Sequence, residues 1–478
     1  MIAVAAGAWL SGDAGARAAP PTMSVPPPDD TTAQSQGSGP FGFLDGLSRS
    51  QYMLGDLWGL RPLLSSAGIT LTLQETSEVL GNVTGGAKRG FAYDGLTQML
   101  LQLDTQRAFG WHGGTFNVSA LQIHGSNLSA TNLLSLQTAS GIQADRATRL
   151  WELWYQQKFL DEDRLDIRVG QQSLDQEFMV SQNASYFVNT MFGWPMLPSA
   201  NMPGGGPAYP LSALGGRVRV RPTDAITVLA GVFNGSPSPG NGGDAQLANP
   251  SGTSFPLNGG ALYIAEIQYA YPSLGTMISP DEGELLSRLY KLGAWYNTQQ
   301  FADQRFGTDG LSLANPATNG TPVQHRGNFS VYAVADQMLW RDPAEADHSL
   351  NIFARAMATA WGDRNLISSS FNLGLTLHEP FPHRDDDTAG IGMGFTNVSR
   401  QASAYSRDVA FYGGGYFPVR SNETFIEATY QYQVAPWWQV QPDIQYVFNP
   451  GGGVLNPNNT NARVKNEFVF GLRTNILF

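Results

Sequence analysis

Short stretches of alternating apolar and polar residues cover the chain from about residue 68 to its end. The last stretch, "EFVFGLRTNILF", keeps this alternation up to the final residue, Phe478. One face of this segment carries large apolar side chains and the other carries small or polar ones, as the two faces of a β-strand do. Chain ends fray unless they are tied down. The pattern therefore predicts a final strand that is paired along its whole length.

About sixteen segments of this kind follow one another, each long enough to cross a bilayer at a tilt. They are 68–80, 93–104, 114–124, 146–159, 164–172, 213–221, 224–234, 259–271, 286–298, 327–341, 348–360, 366–378, 388–398, 424–434, 438–448 and 467–478. The turn at Ala435 and Pro436 is very short, whereas the connection 449–466 is long and rich in Gly and Asn. Short turns at one end and long loops at the other are typical of outer-membrane barrels.

These patterns predict an all-β fold, a transmembrane antiparallel barrel of about 16 strands that follows a short periplasmic helical segment. A sheet in hydrocarbon has to satisfy every backbone group, so it closes on itself. We therefore expect the last strand to pair with the first, 68–80. A large soluble sandwich or propeller would also alternate. The aromatic residues near strand ends and the scarcity of charge favour the barrel.

Composition narrows the choice further. Charged residues make up 14% of the chain, against about 25% in typical soluble domains, and the mean hydropathy is −0.20. No apolar run is long enough for a transmembrane helix. The absence of Cys excludes disulfides and thiolate metal sites, and the net charge of −11 argues against nucleic acid as a partner.

The N-terminal part divides into three segments before the barrel. A short apolar run followed by Ala16-Arg17-Ala18 predicts a secretory signal peptide over 1–18, although the basic segment that usually precedes such a run is missing. Residues 19–40 are rich in Pro, Ser, Gly and Asp, which predicts a disordered linker. A periplasmic pre-barrel segment over 41–67 and a barrel over 68–478 complete the predicted organisation.

Several stretches resemble the carbohydrate-selective porin (OprB) family of Gram-negative outer membranes. They are "LGDLWGLRPLLSSAGI" (54–69), "FGWPM" with "GGPAYPL" within 170–223, and "WWQVQPDIQYVFNPGG" (437–452). The first departs from the family's usual motif, since Leu57 stands where a Trp is common. The resemblance implies a porin in the bacterial outer membrane that admits sugars by diffusion, without catalysis or a cofactor. It also implies contact with membrane lipid, and with the barrel-assembly machinery through the C-terminal strand ending in Phe478.

The phase of each strand predicts which charged side chains face the lumen. The segment "GRVRVRPT" is the clearest case, because Val218 and Val220 face one way and the three arginines share the other. Arginines facing lipid would cost about 2–4 kcal/mol each near the midplane. The pore-lining candidates assigned by this argument are Glu78, Glu152, Arg168, Arg217, Arg219, Arg221, Glu266, Lys291, Arg355, Glu427, Asp443 and Arg473.

Two questions about the lumen stay open at this point. The arginines of "GRVRVRPT" either form a selective constriction or are ordinary wall charges neutralised by Glu, and Arg221 alternatively lies in a periplasmic turn. The long connection 173–212 either folds inward or caps the barrel outside. Its length and its aromatic and Pro content favour inward folding.

The sequence gives weaker support to other activities. The segment "HEPFPHRDDD" (378–387) gathers His and Asp without the spacing of a known metal loop, which favours a solvated turn. An outer-membrane enzyme would need a nucleophile and a base on one wall. No G-x-S-x-G motif is present, and no His is predicted in phase with a Ser. An anion- or phosphate-preferring or general diffusion porin stays a possible alternative to a sugar channel.

Overall fold

The structure, a computed structural model, describes four ranges of the chain: 50–240, 243–272, 286–343 and 348–478. The predicted signal peptide over 1–18 and linker over 19–40 lie outside the described residues, as does the first part of the predicted pre-barrel segment.

Sixteen antiparallel strands form one closed barrel, which confirms the predicted fold. They are β1 (Ile69–Thr84), β2 (Gly90–Asp104), β3 (Gly114–Gly125), β4 (Ala147–Phe159), β5 (Leu165–Gln172), β6 (Ala213–Val220), β7 (Ile226–Asn234), β8 (Ala261–Tyr271), β9 (Arg288–Gly307), β10 (Pro322–Arg341), β11 (Ser349–Ala358), β12 (Ile367–His378), β13 (Thr388–Val398), β14 (Asn422–Ala435), β15 (Trp438–Phe448) and β18 (Glu467–Leu477). Two further strands, β16 (Leu455–Asn456) and β17 (Asn459–Arg463), form a small separate hairpin between β15 and β18.

Helices are short and none of those described is part of the barrel wall. They are α1 (Leu60–Ser66), α2 (Thr105–Phe109), α3 (Thr190–Gly193), α4 (Met196–Asn201), α5 (Ala245–Ala248), α6 (Arg400–Gly413) and α7 (Pro450–Gly453). None of them is both long and apolar enough to span a bilayer, among the residues that the structure describes.

The first and last barrel strands are neighbours, as predicted. Strand β1 pairs with β18 over ten partners, from Gln74 opposite Leu477 to Thr84 opposite Phe468. The final residue is held as well, because the Phe478 N–H donates to the Leu73 carbonyl at 2.8 Å. The segment before the barrel adds to this closure, since the Arg61 guanidinium of α1 donates to the Phe478 carbonyl. The C-terminus is therefore tied from two sides.

The two ends of the barrel differ in the way sequence analysis predicted. Connections at one end are short, such as 160–164, 221–225 and 436–437, while those at the other include 126–146 and 173–212. Strands β9 and β10 are longer than predicted from the sequence, and they continue together beyond the barrel wall. Their extensions pack against α6, where Arg305 pairs with Asp408 at 2.7 Å. These polar extensions have no lipid face, so the two-residue alternation did not reveal them.

Candidate functional site

Two of the long connections lie inside the barrel. We call residues 173–212 the long inner loop and residues 126–146 the short inner loop. In the long inner loop the Met179 N–H donates to Glu266 of β8 at 2.9 Å, and the Val188 N–H donates to Glu427 of β14 at 2.6 Å. Since β8 and β14 belong to different sides of the wall, the loop crosses the lumen. The long inner loop is therefore folded inward, as the sequence favoured.

An aromatic cluster holds the long inner loop inside the barrel. The Phe187 and Phe192 rings of the loop lie 4.4 Å apart between centroids. Phe192 also packs against Phe353 of β11 at 5.6 Å and Phe425 of β14 at 5.3 Å. All four side chains are buried. The cluster is a small apolar core within a polar lumen, and its burial stabilises the inward position of the loop.

The strand between these aromatic residues carries glycine at three successive positions of its inner face. Strand β13 reads "TAGIGMGFTNV", with Gly390, Gly392 and Gly394 at alternate positions. A Cβ atom at Gly392 would lie 2.7 Å from the Phe192 ring, and one at Gly390 would lie 2.8 Å from Phe187. The glycines therefore make the space that the loop aromatics fill.

Several predicted pore-lining residues contact the backbone of this loop instead of open lumen. The Lys291 Nζ of β9 donates to the Val180 carbonyl at 2.7 Å. The Arg355 guanidinium of β11 donates to the carbonyls of Met179 at 2.8 Å and of Gly193 at 3.0 Å. Both cations are buried. Because a guanidinium carries several donors in a fixed plane, Arg355 clamps two turns of the loop at once.

A second group of predicted residues supports the loop on the opposite wall. Glu427 accepts from two successive backbone N–H groups of the loop, at 2.6 and 3.0 Å. Arg473 of β18 pairs with Glu78 of β1 at 2.5 Å across the closing seam of the barrel. Asp443 accepts from the Gln445 amide at 2.8 Å. All of these side chains are buried and face inward.

The base of the loop is fixed by carboxylates. Glu152 of β4 accepts from the Ser173 N–H at 3.0 Å. Asp175 accepts from the Ser173 hydroxyl at 2.6 Å and from the Tyr209 N–H at 2.8 Å, which joins the two ends of the loop. Burial raises the pKa of Asp175 to about 6, although these donated hydrogen bonds act in the opposite direction.

The three arginines of "GRVRVRPT" have different environments. Arg217 is fully buried and pairs with Asp166 of β5 and with Glu177 of the long inner loop. The Arg219 side chain is 39% exposed and pairs with Asp166 at 2.5 Å. Arg221 follows the end of β6 and donates to the Asp163 carbonyl at 3.2 Å. It therefore lies in a short turn, which was the alternative position that the sequence allowed for it.

Arg219 and Arg221 border a polar cavity of about 340 Å³ between the loop and the strands β4 to β8. Its lining includes residues that sequence analysis did not select: Lys158, Asp163, Gln176, Glu177, Thr227, Leu229 and Gln268. Arg168, which was selected, pairs nearby with Glu177 at 2.8 Å. Lys158 shares the inward phase of Glu152 along β4, so strand phase could have selected it. Gln176 and Glu177 belong to the loop, where strand phase gives no information.

A larger cavity of about 610 Å³ opens near the end of the barrel that carries the long loops. Amide side chains dominate its polar lining, with one guanidinium and one aromatic ring beside them: Asn201, Gln299, Gln300, Gln304, Gln324, Arg364 and Phe301. Amides offer both donors and acceptors without net charge. Such a lining replaces the hydrogen bonds that a hydroxyl-rich solute loses when it leaves water.

Metal-binding side chains are not grouped around either cavity in the described part of the chain. No group of three or more His, Asp or Glu in metal-binding geometry occurs among the described residues. In the turn 379–387, Asp387 pairs with Arg384 at 2.7 Å and accepts from the Tyr430 hydroxyl at 2.6 Å. Its carboxylate is thus engaged by protein donors.

Comparison with known proteins places this geometry in a family. The model of the carbohydrate-selective porin, OprB family, matches residues 88–478. Porin B of Pseudomonas aeruginosa is 26% identical over 444 residues, which cover 88% of this chain and 92% of that protein. The putative porin QuiX of Acinetobacter baylyi is 23% identical over 429 residues, which cover 84% and 89% of the two chains.

Solved structures show the same fold. The high-pH structure of Pseudomonas putida OprB is 24% identical and superposes with a TM-score of 0.77, covering 90% of this chain and 99% of that one. The low-pH structure of the same protein gives a TM-score of 0.53 at 18% identity. The family model covers most of the chain and the barrel is closed, so this chain belongs to the carbohydrate-selective porins of the OprB family, in the bacterial outer membrane.

Proposed function

We propose that this porin admits monosaccharides and small oligosaccharides by passive diffusion through the space that the two inner loops leave open. Family membership and the amide-rich cavity of about 610 Å³ support this proposal most directly. A sugar gives up hydrogen bonds to water when it enters a narrow passage. It passes quickly where amides and charged groups replace those bonds without holding it tightly.

We assign two roles to the predicted pore-lining residues. Among the predicted residues that lie on barrel strands, Arg219 borders the cavity of about 340 Å³ and its side chain is substantially exposed, so we assign it to contact with the permeating solute. Glu266, Lys291, Arg355 and Glu427 bind the long inner loop and set its position, so their effect on permeation is indirect.

Swelling of liposomes that contain the purified porin tests the proposal. We expect glucose to enter faster than an anion of similar size such as gluconate, and larger oligosaccharides to enter more slowly. Protein-free liposomes are the control. A faster rate for gluconate or phosphate than for glucose would contradict the sugar assignment.

An anion-preferring pore is the second candidate, and one observation favours it. Lys158, Arg219 and Arg221 all line the cavity of about 340 Å³. Asp163 and Glu177 line it as well, which leaves the cations largely compensated. The variant Arg219→Gln separates the two candidates. In an anion-preferring pore, it should lower the entry of an anion more than the entry of glucose.

The proposal contains no chemical step. The sequence-based expectation that no His lies in phase with a Ser was wrong, since Ser77 and His124 share the outward face of the wall. Each instead contacts the Tyr93 hydroxyl at 3.1 Å, and Ser77 donates to Glu75. We infer a structural role for this pair. Contact with the barrel-assembly machinery through β18 and Phe478 also stays a proposal.

A further inference from the structure

A group of cations lies at the external rim of the barrel, beside the seam between β1 and β18. They belong to the turn 85–89, which joins β1 to β2, and to the connection 449–466, which precedes β18. Neither segment contains Asp or Glu. Both lie at the end that carries the long loops, which is the external end of outer-membrane barrels. We call the four residues of this group the rim cations: Lys88, Arg89, Arg463 and Lys465.

Backbone contacts hold the two segments against each other. The Gly86 N–H donates to the Lys465 carbonyl at 3.3 Å. The side-chain amide of Asn458 donates to the Ala87 carbonyl at 2.6 Å. A Cβ atom at Gly85 would clash with the backbone of the connection 449–466, so this glycine permits the close approach. The rim cations therefore occupy one area of the rim.

The rim cations are exposed and have no anionic partner among the described residues. All four are exposed to solvent. The Arg463 guanidinium donates to the Asn449 amide oxygen at 3.3 Å, and the described part of the chain offers the other three side chains no hydrogen bond or ion pair. The chain as a whole carries a net charge of −11, so this area has the opposite sign. Uncompensated like charges repel each other, and an external anion would remove that repulsion.

The outer wall next to the rim cations is aromatic. Phe91 of β2 and Phe470 of β18 both lie opposite Gly81 of β1 in the strand register, and their ring centroids are 5.4 Å apart. A Cβ atom at Gly81 would clash with the Phe91 ring, so the ring lies across the glycine. Phe468 follows at 6.3 Å from Phe470. Phe91 and Phe470 are both exposed. We call these three phenylalanines the rim aromatic patch.

The charges lie close to the aromatic rings along the chain. Arg89 precedes Phe91 by two residues, which is at most about 7 Å of extended chain. Lys465 precedes Phe468 by three residues, at most about 11 Å. Aromatic side chains at the ends of barrel strands mark the boundary between hydrocarbon and headgroups. The rim cations therefore lie at the level of lipid headgroups, where phosphate groups are located.

We propose that the rim cations and the rim aromatic patch together form a docking site for a phosphorylated glycolipid of the outer leaflet. The acyl chains contact the phenylalanine rings, and phosphate groups of the headgroup pair with Arg89 and Lys465, since guanidinium and ammonium groups both bind phosphate. The exposed amides of Asn459 and Asn461 on β17 offer hydrogen bonds to sugar hydroxyls. A soluble anion would use the cations alone, whereas a lipid uses both surfaces.

Titration of the purified porin in detergent with a short-chain lipopolysaccharide tests the site, with bound lipid measured by native mass spectrometry. We expect R89Q/K465Q to weaken binding at least fivefold, because each cation adds attraction to an anionic headgroup. The matched control R400Q/R407Q removes two exposed cations of α6, where Arg407 lies next to Asp408. It should change binding less than twofold. Heat-modifiable migration and unchanged entry of glucose into liposomes verify that each variant folds.

Two altered forms of the same glycolipid separate the contributions of phosphate and acyl chains. Lipopolysaccharide from which the phosphate groups have been removed should bind the unsubstituted porin at least fivefold more weakly, and so should the phosphorylated headgroup without its acyl chains. Three results would overturn the proposal: folded R89Q/K465Q that binds as well as the unsubstituted porin, undiminished binding of the dephosphorylated lipid, or undiminished binding of the deacylated headgroup. The last result would assign the rim cations to a soluble anion.

Discussion

At the scale of single residues, some charged side chains join the wall to the long inner loop, whereas others face solvent in the lumen. Arg217 and Arg219 occupy neighbouring inward positions on β6, yet Arg217 is fully buried and Arg219 is 39% exposed. Both pair with Asp166. A buried charge that loses its partner is far more costly than an exposed one, so the two arginines should respond differently to the same substitution.

We expect Arg217→Gln to destabilise the folded barrel by roughly 3 kcal/mol, because Asp166 and Glu177 lose their shared buried cation. The matched variant Arg219→Gln should change the free energy of unfolding by about 1 kcal/mol or less. Urea unfolding of the purified barrel, followed by heat-modifiable migration, measures both. Equal effects of the two variants would show that burial does not distinguish these residues.

Asp175 gives the long inner loop a dependence on pH. Its pKa, raised by burial to about 6, lies above the value in the unfolded chain. The folded state therefore binds more protons between about pH 4 and pH 6. The stability of the loop should fall by roughly 2–3 kcal/mol as the pH rises through this window. Hydrogen exchange of 173–212, expressed as protection factors, should show this loss, and Asp175→Asn should remove most of it.

At the scale of elements, strand positions were predictable and the path of the inner loops was not. Lipid on one side and a polar lumen on the other impose a two-residue period on every strand, and the sequence displays this period directly. Phase also gave a prediction of which charges face inward. It could not show what covers them, since contacts such as Val188 with Glu427 join residues that are far apart in the chain.

One signal for the path of the loop was present in the sequence. Strand β13 carries Gly at three alternate positions, Gly390, Gly392 and Gly394. Glycine inside a strand often marks the close approach of another part of the chain. Together with the aromatic residues of "SYFVNTMFGW", this pattern indicates that the loop packs against β13. The identity of the packing partners still required the three-dimensional structure.

A side chain added to this row of glycines on β13 should displace the long inner loop. We expect Gly392→Leu to push Phe192 away from β13, because even a Cβ atom there would lie 2.7 Å from its ring. Overpacking of this kind costs about 1–3 kcal/mol. Raffinose should then enter liposomes faster relative to glucose. Met393→Leu, at the neighbouring outward position, is the control and should leave the ratio of the two rates unchanged. An unchanged ratio in Gly392→Leu would mean that the loop does not limit the pore.

At the scale of the whole molecule, the barrel wall faces lipid on its outer side and water on its inner side. The same side chain therefore affects the stability of the barrel differently on the two sides. Ala265 of β8 faces outward between Tyr263 and Ile267, whereas Gln268 faces the cavity of about 340 Å³. The apolar exterior agrees with the low overall content of charge, 14%. Composition alone thus reflects the environment of the wall.

We expect Ala265→Arg to destabilise the barrel by about 2–4 kcal/mol if the position is near the membrane midplane. Gln268→Arg, on the same strand, should cost less than about 1 kcal/mol because its side chain stays in water. Unfolding in liposomes by urea gives both values. A barrel that tolerates Arg equally at the two positions would contradict the assignment of the faces.

The pairing of β1 with β18 has a consequence for biogenesis. These strands lie at opposite ends of the barrel sequence, so their pairing closes the longest loop within the barrel and carries a large entropic cost. Until β18 pairs with β1, the sheet has two unpaired margins. These margins must therefore be shielded until the barrel closes, and a chain truncated before β18 would leave an open sheet prone to aggregation.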